Sequence, residues 1–295
     1  MLLVFAALFV SCGPDFADSG AQIVDAEKAL TMLSDGSAVL VDAQTGINYN
    51  KEHVEGAVNV SRADIVVNAP YPNLVGEKEQ IAKVLSSRGI SNDSTVLVYD
   101  DSKNMDAARL WWTMVAYGHA PEKVKVISGG YAALKAAGAA LASGRTNPAA
   151  STYQVKDLDQ SMMASLAEVK AQVNDPDSGT VIVDTRTLEE YDAGTIPGSI
   201  LFNFEDNNFA DGTYRPVQQI RIAYLEKEID PSKTVIMFCK TSIRGAQTYV
   251  ALYNAGYRKL KLYDGAWVEW SSKPSLPVQM PEKSELPVLN SQDGS

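Results

Sequence analysis

The sequence predicts an α/β fold built twice, each copy a mainly parallel sheet flanked by helices. Three observations lead there. Short β-branched apolar runs without polar alternation recur along the chain, which is how strands buried on both faces read. Helical patterns stand between them, and strands alternating with helices imply a parallel sheet. Two long segments of the chain also resemble each other, the mark of a duplication. A length of 295 residues suits two domains at about 150 residues each.

Taken in order, the chain opens with an apolar run from Leu2 to Val10, too short to span a bilayer, followed by Ser11-Cys12-Gly13-Pro14-Asp15. Phe9-Val10-Ser11-Cys12 resembles a bacterial lipobox, although Phe9 stands where Leu is commonest and no basic stretch precedes it. That resemblance implies a signal at residues 1–11, lipidation of Cys12 and a tether over 12–21. The body would then lie outside the cytoplasm, held by acyl chains at a bacterial membrane surface. The alternative is an apolar helix or strand with a buried Cys.

Strands are expected at Val39–Val41, Val96–Val98 and Val124–Ile127, then at Val181–Val183 and Val235–Phe238. Met105–Ala116 and Arg244–Ala255 carry apolar residues at helical spacing, with Gly118 and Gly256 placed where a helix stops. Asp42 and Asp184 stand 142 residues apart at matching strand ends, as do Gly56 and Gly198 in matching turns. Further on, Asp100 matches Cys239 at a separation of 139, and Ser128-Gly129-Gly130-Tyr131 matches Asp264-Gly265-Ala266-Trp267 at 136. The small drift is what loop insertions produce between duplicated units. The expected domains are 22–142 and 159–275, joined by a linker at 143–158 rich in small and polar residues. A Pro-rich, mobile tail is expected from 276 to 295.

Composition narrows the function. The net charge of −10, without a long basic run, argues against nucleic-acid partners. Two cysteines and two histidines cannot make an all-Cys/His zinc site, and no metal or cofactor is called for. The chemistry centres on Cys239, at the end of a strand in Val235-Ile-Met-Phe-Cys239-Lys240-Thr241-Ser242-Ile243-Arg244. Ligands of parallel sheets bind at the carboxyl ends of strands. A loop turning there into a helix N-terminus, with Lys240 and Arg244 beside it, favours an anion at the sulfur. A buried structural Cys is the competing reading.

These residues carry a specific resemblance. Val183-Asp184-Thr185-Arg186, Thr195-Ile-Pro-Gly198, the Cys239 loop and Tyr263-Asp-Gly-Ala-Trp-Val-Glu-Trp270 resemble the tandem-domain rhodaneses, in family order. Glu52-His53-Val-Glu-Gly56, Ala108-Arg-Leu-Trp-Trp112 and Tyr117-Gly-His119 extend it through the first unit, over about residues 22–273. The resemblance implies a thiosulfate or 3-mercaptopyruvate sulfurtransferase that works through a Cys239 persulfide by double displacement. Its partners would be a small anionic sulfur donor and a thiol or cyanide acceptor. The first unit, with Asp100 at the Cys239 position, would be non-catalytic and help cover the site.

The same resemblance places Arg186 at the donor-anion position, against a structural ion pair as its alternative. Arg244 would close the loop and Lys240 would steer anions. Thr241 and Ser242 would bond the sulfur or cap the helix, and Trp267 and Trp270 would pack nearby. His53 matches a turn from which an interdomain His can approach the site, a structural role being the stronger reading; His119 is expected to be structural. Basic Lys240 and Arg244 lean toward thiosulfate, whereas Thr241 leans toward mercaptopyruvate. Two other classes stand as rivals: a sulfur carrier, sensor or scaffold without turnover, and a phosphatase. The latter normally needs Cys-x5-Arg, one residue longer than Cys239 to Arg244.

Overall fold

The computed structural model describes residues 14–281, so Cys12 and residues 282–295 lie outside the described residues. Two five-stranded sheets carry the fold. In the first, the strands run Ile23–Val24, Val124–Ile127, Val96–Tyr99, Val39–Asp42 and Val58–Asn59, every pair parallel. The second runs Met163–Ala164, Leu260–Tyr263, Thr234–Phe238, Thr180–Asp184 and Ile200–Leu201, again all parallel. Matching strands hold matching positions, so the duplication read from the sequence is also a duplication of topology. The uninterrupted apolar runs have the burial they predict: Val96–Tyr99 is wholly buried because helices cover both faces of its sheet.

Helices Met105–Ala116 and Ile243–Asn254 follow the two central strands. They pack on each other across the domain boundary, with the Trp111 ring centroid 5.2 Å from that of Tyr253. Each also rests on its own sheet, which explains why both are buried on nearly all sides rather than along one stripe. One apolar core therefore runs through both domains, joining Val98 and Leu110 to Met237 and Val250. Smaller cores fill the outer faces, around Leu97 and Tyr99 in the first domain and around Phe238 and Trp270 in the second.

Both helices stop as their glycines predict. Gly118 and Gly256 adopt φ of 90° and 97°, which only glycine enters freely. The bonds His119 N to Met114 O and Tyr257 N to Leu252 O then close a Schellman motif at each end. The second helix begins one residue earlier than its pattern suggests, at Ile243.

Three connecting segments are more firmly attached than their composition implies. Residues 16–20 of the expected tether lie against the second domain: Phe16 packs edge-on to Tyr257, and Gly20 N–H donates to Asn254 O. Beyond Ala142 the linker has no helix or strand until Gln160, yet Tyr153 is buried and Lys156 N–H bonds Tyr117 O. The first residues of the expected tail, from 276, are hydrogen-bonded to the second domain. Gln279 pairs with Thr195 through two backbone hydrogen bonds, and Trp270 Nε1–H donates to Pro277 O. Proline and polar composition missed this because the anchoring donors and acceptors belong to distant turns.

Candidate active site

Cys239 follows the Thr234–Phe238 strand and is 1% exposed; it is the free cysteine of the described residues. The chain turns through Lys240, Thr241 and Ser242, with Ser242 in the left-handed region at φ 67°, and enters the helix at Ile243. The neighbouring helix, Ala266–Ser271, holds this loop from behind: Trp267 N–H donates to Cys239 O at 3.0 Å and Val268 N–H to Lys240 O at 3.2 Å. The backbone at the sulfur is thus fixed by two donors from the first turn of that helix.

The flanking side chains divide by what they touch. Arg244 makes a bidentate pair with Glu190, its Nη2 lying 2.8 Å from Oε1. Its hydrogen bonds hold the Glu190 carboxyl down at about 2, against the opposing effect of burial. Burial disfavours the Arg244 charge, but Glu190 and the adjacent Cys239 sulfur outweigh it and raise the guanidinium above its ordinary value. Lys240 is exposed at the rim. The Thr241 hydroxyl oxygen accepts a hydrogen bond from Asn73 Nδ2 at 2.9 Å, a contact from the other domain.

Two expected ligand contacts find other occupations. Ser242 is fully buried, and its hydroxyl faces the carbonyls of Tyr263 at 3.1 Å and Asp264 at 2.5 Å. It therefore neither caps the helix nor turns toward a ligand; it ties the loop to the Asp264 turn. Arg186, expected to receive the donor anion, is buried and forks onto Asp184, with Nε–Oδ1 at 2.9 Å and Nη2–Oδ2 at 2.6 Å. Nη2 also donates to Gly194 O, and the guanidinium carbon lies 4.5 Å from the Trp267 ring centroid and 5.7 Å from that of Phe238. Asp184 further accepts from Thr195 Oγ1 at 2.7 Å. The structural ion pair is what the geometry displays, because a carboxylate two residues away fits the same planar fork that an anion would use. Trp270 is fully buried in packing.

The first domain supplies residues whose placement the sequence did not disclose. Arg109 is fully buried and pairs with Asp264 at 2.8 Å, stacking 4.9 Å over Trp112. Its Nη2 also donates to Asn73 O at 2.9 Å. Val75 N–H donates to the other Asp264 oxygen at 2.8 Å. Asp264 is thus gripped from the first domain while the residues after it hold the Cys239 loop. A lone Arg inside an apolar helix was the available signal for Arg109, and the Thr187-x-x-Glu190 capping box was one for Glu190. Asn73 offered none.

Asp100, the first-domain counterpart of Cys239, is also buried in a loop leading into a helix. Its carboxylate accepts four backbone N–H bonds, from Ser102, Asn104, Asp106 and Ala107, at 2.8–3.1 Å. Burial still pushes this carboxyl up. The loop geometry at this sheet end is accordingly an anion cradle, occupied in the first domain by the protein's own side chain. His53 stacks on Tyr49 at 3.9 Å and bonds Tyr49 O through Nδ1, inside the first domain. His119 bridges Tyr153 and Ser94. Both rings are buried and hydrogen-bonded. Among the described residues no cluster of three or more His, Cys, Asp or Glu could hold a metal, and no helix is long and apolar enough to cross a membrane.

Comparison with known proteins agrees with this construction. The chain is 29% identical over 273 residues to "Putative thiosulfate sulfurtransferase 1" of Mycobacterium bovis, covering 88% of this chain and 97% of that protein. It is also 29% identical over 285 residues to "Probable 3-mercaptopyruvate sulfurtransferase" of Pseudomonas aeruginosa, covering 88% and 98%. In fold it superposes on the anaerobic ergothioneine biosynthesis enzyme of Chlorobium limicola with a TM-score of 0.76 at 22% identity, over 89% of this chain and 71% of that one. The model of the rhodanese-like domain matches twice, at residues 25–137 and 165–273. With one match on each sheet, the chain belongs to the rhodanese-like family and carries two of its domains in tandem.

Proposed function

We propose that this protein transfers a sulfane sulfur from thiosulfate, in preference to 3-mercaptopyruvate, to a thiol or cyanide through a persulfide on Cys239. The observation that carries the reading is the pair of equivalent loops: one encloses the carboxylate of Asp100 with four amide donors, and the other carries a lone thiol in its place. The Cys239 thiolate attacks the outer sulfur of thiosulfate, the S–S bond breaks, and sulfite leaves with the bonding pair. An acceptor thiolate or cyanide then attacks the outer persulfide sulfur and releases Cys239 as thiolate. Loop amides and the Arg244 guanidinium stabilise the charge at sulfur in both steps. Lys240 at the rim draws the anionic donor inward.

Arg244 also bears on the phosphatase alternative. Its fork is closed on Glu190, whereas phosphoryl transfer needs that fork open to the phosphate oxygens. Attachment through Cys12 at an extracytoplasmic membrane face belongs to the same proposal. It is tested by metabolic labelling with a fatty acid and loss of the label in Cys12→Ala.

Steady-state rates with each donor and cyanide as acceptor test the enzymatic reading. Thiocyanate formation with release of sulfite is expected, faster than pyruvate release from mercaptopyruvate. No turnover with either donor, or turnover that survives Cys239→Ser, overturns it. A scaffold would keep partner binding in that variant.

A further inference from the structure

Within the Cys239 loop two side-chain hydroxyls are available. The Ser242 hydroxyl is committed to the carbonyls of Tyr263 and Asp264, which leaves Thr241. Thr241 meets Asn73, which reaches across from a first-domain turn between the Val66–Val67 and Leu74–Val75 strands. Asn73 holds φ at 64°, a region that side chains other than Asn and Asp rarely enter. Three bonds secure it there: its N–H to Asn68 Oδ1, its carbonyl from Arg109 Nη2, and its amide to Thr241. Joining the domains does not require this arrangement, since the shared core and the Asp264 contacts already do so.

The direction of the Asn73 bond matters chemically. An amide N–H only donates, so the Thr241 oxygen is the acceptor, and its single hydrogen is turned away from Asn73. Resting on the reading of Cys239 as nucleophile, we infer that Asn73 is a positioning residue of the first domain, which aims the Thr241 hydroxyl as a donor to the anionic sulfur formed at Cys239. The first domain then contributes a directed hydrogen bond to the chemistry as well as cover. Arg109 takes part through the Asn73 carbonyl, keeping the turn in the one conformation that presents the amide.

Four substitutions separate this from a merely structural contact. Asn73→Gly keeps the left-handed backbone and the carbonyl used by Arg109 but deletes the amide. Asn73→Asp supplies only acceptors and would claim the Thr241 hydrogen. Thr241→Val deletes the hydroxyl and Thr241→Ser retains it. The charged groups around the loop stay in place: Arg244 with Glu190, Arg186 with Asp184, Arg109 with Asp264, and Lys240.

Two readouts are used: the pH profile of Cys239 alkylation by iodoacetamide, and the rate of persulfide formation from thiosulfate or 3-mercaptopyruvate, followed by intact mass. Asn73→Gly and Thr241→Val are each expected to move the alkylation profile to higher pH and slow persulfide formation by about five- to tenfold. Asn73→Asp should slow it further and Thr241→Ser little. The Gly/Val double variant should be no slower than Thr241→Val alone, since both remove one interaction. An Asn73→Gly protein matching wild type in both readouts, or effects that multiply in the double variant, overturns the inference. If wild type forms no persulfide while the alkylation shift is present, the sulfurtransferase reading fails and the positioning role stands.

Discussion

The Asp100 and Cys239 loops sit at the same place in two sheets of one topology, and they differ in the side chain they enclose, in length and in charge. In the first, the anion is part of the chain, and four amides are saturated by it. That loop is also longer by a residue: its helix starts at Met105 after two left-handed residues, Lys103 and Asn104, whereas the second helix starts at Ile243 after Ser242 alone. The charge in the following helix turn is reversed: Asp106 pairs with Arg62 in the first domain, and Arg244 with Glu190 in the second. At the adjacent strand ends, Asp184 has Arg186, whereas Asp42 has only Tyr99 and Gln44. A duplicated backbone can thus be kept while the charge around its equivalent loops is rearranged.

The sharpest way to break this comparison is to move the thiol. Asp100→Cys in a Cys239→Ser background is expected to restore no sulfur transfer, because Asp101 and Asp106 stand where the second loop has Lys240 and Arg244, so no cation draws an anionic donor to that thiol. Measurable thiocyanate formation would show that the thiol alone distinguishes the loops. Next in size, Arg186→Gln leaves Asp184 buried without its cation and should cost about 3–5 kcal/mol in urea unfolding. A variant of unchanged stability but raised KM for thiosulfate would instead give Arg186 the donor-binding role that its sequence position implies.

Asp100→Ala removes the acceptor from four amides and should cost about 3 kcal/mol. Asp42 sharpens the strand-end contrast. Burial raises its carboxyl to about 6 from an ordinary 3.8, so the folded protein holds a proton that the unfolded chain has released. Stability from this group is full below the unfolded value and is lost as pH rises through about 6. Asp42→Asn should flatten that dependence, retaining about 2 kcal/mol more than wild type at pH 8 than at pH 4, read from paired denaturation curves. The smallest effect is expected for Glu190→Gln, which loosens Arg244 and slows transfer by on the order of tenfold without moving the melting temperature much. Because Arg244 holds Glu190 down at about 2, the pair stays charged through neutral pH and weakens only as pH falls below the ordinary carboxylate range.

Much of this was legible in the chain. Val96–Tyr99 and Thr234–Phe238 announce themselves as buried parallel strands, and Gly118 and Gly256 as helix stops, since these signals depend on neighbours within one element. Cys239 stood out because a lone thiol at a strand end, followed by Lys and Arg, has few structural uses. Arg186 shows where such reasoning stops: its type and position suit a ligand anion and Asp184 equally, and only relative placement decides between them. Asn73 and Ser242 make the same point, one reaching the loop from the other domain and the other committing its hydroxyl to carbonyls 21 and 22 residues away.

Local periodicity, turn chemistry and one unmatched cysteine are properties of contiguous residues, and they determined the duplicated α/β architecture and singled out Cys239. Which carboxylate closes on which arginine, and which domain's amide meets Thr241, depend on distances between residues far apart in the chain. Those were decided when the two central helices packed into one shared core, because burial in that core fixes the approach of the two domains and hence the hydrogen-bond partners available at each loop.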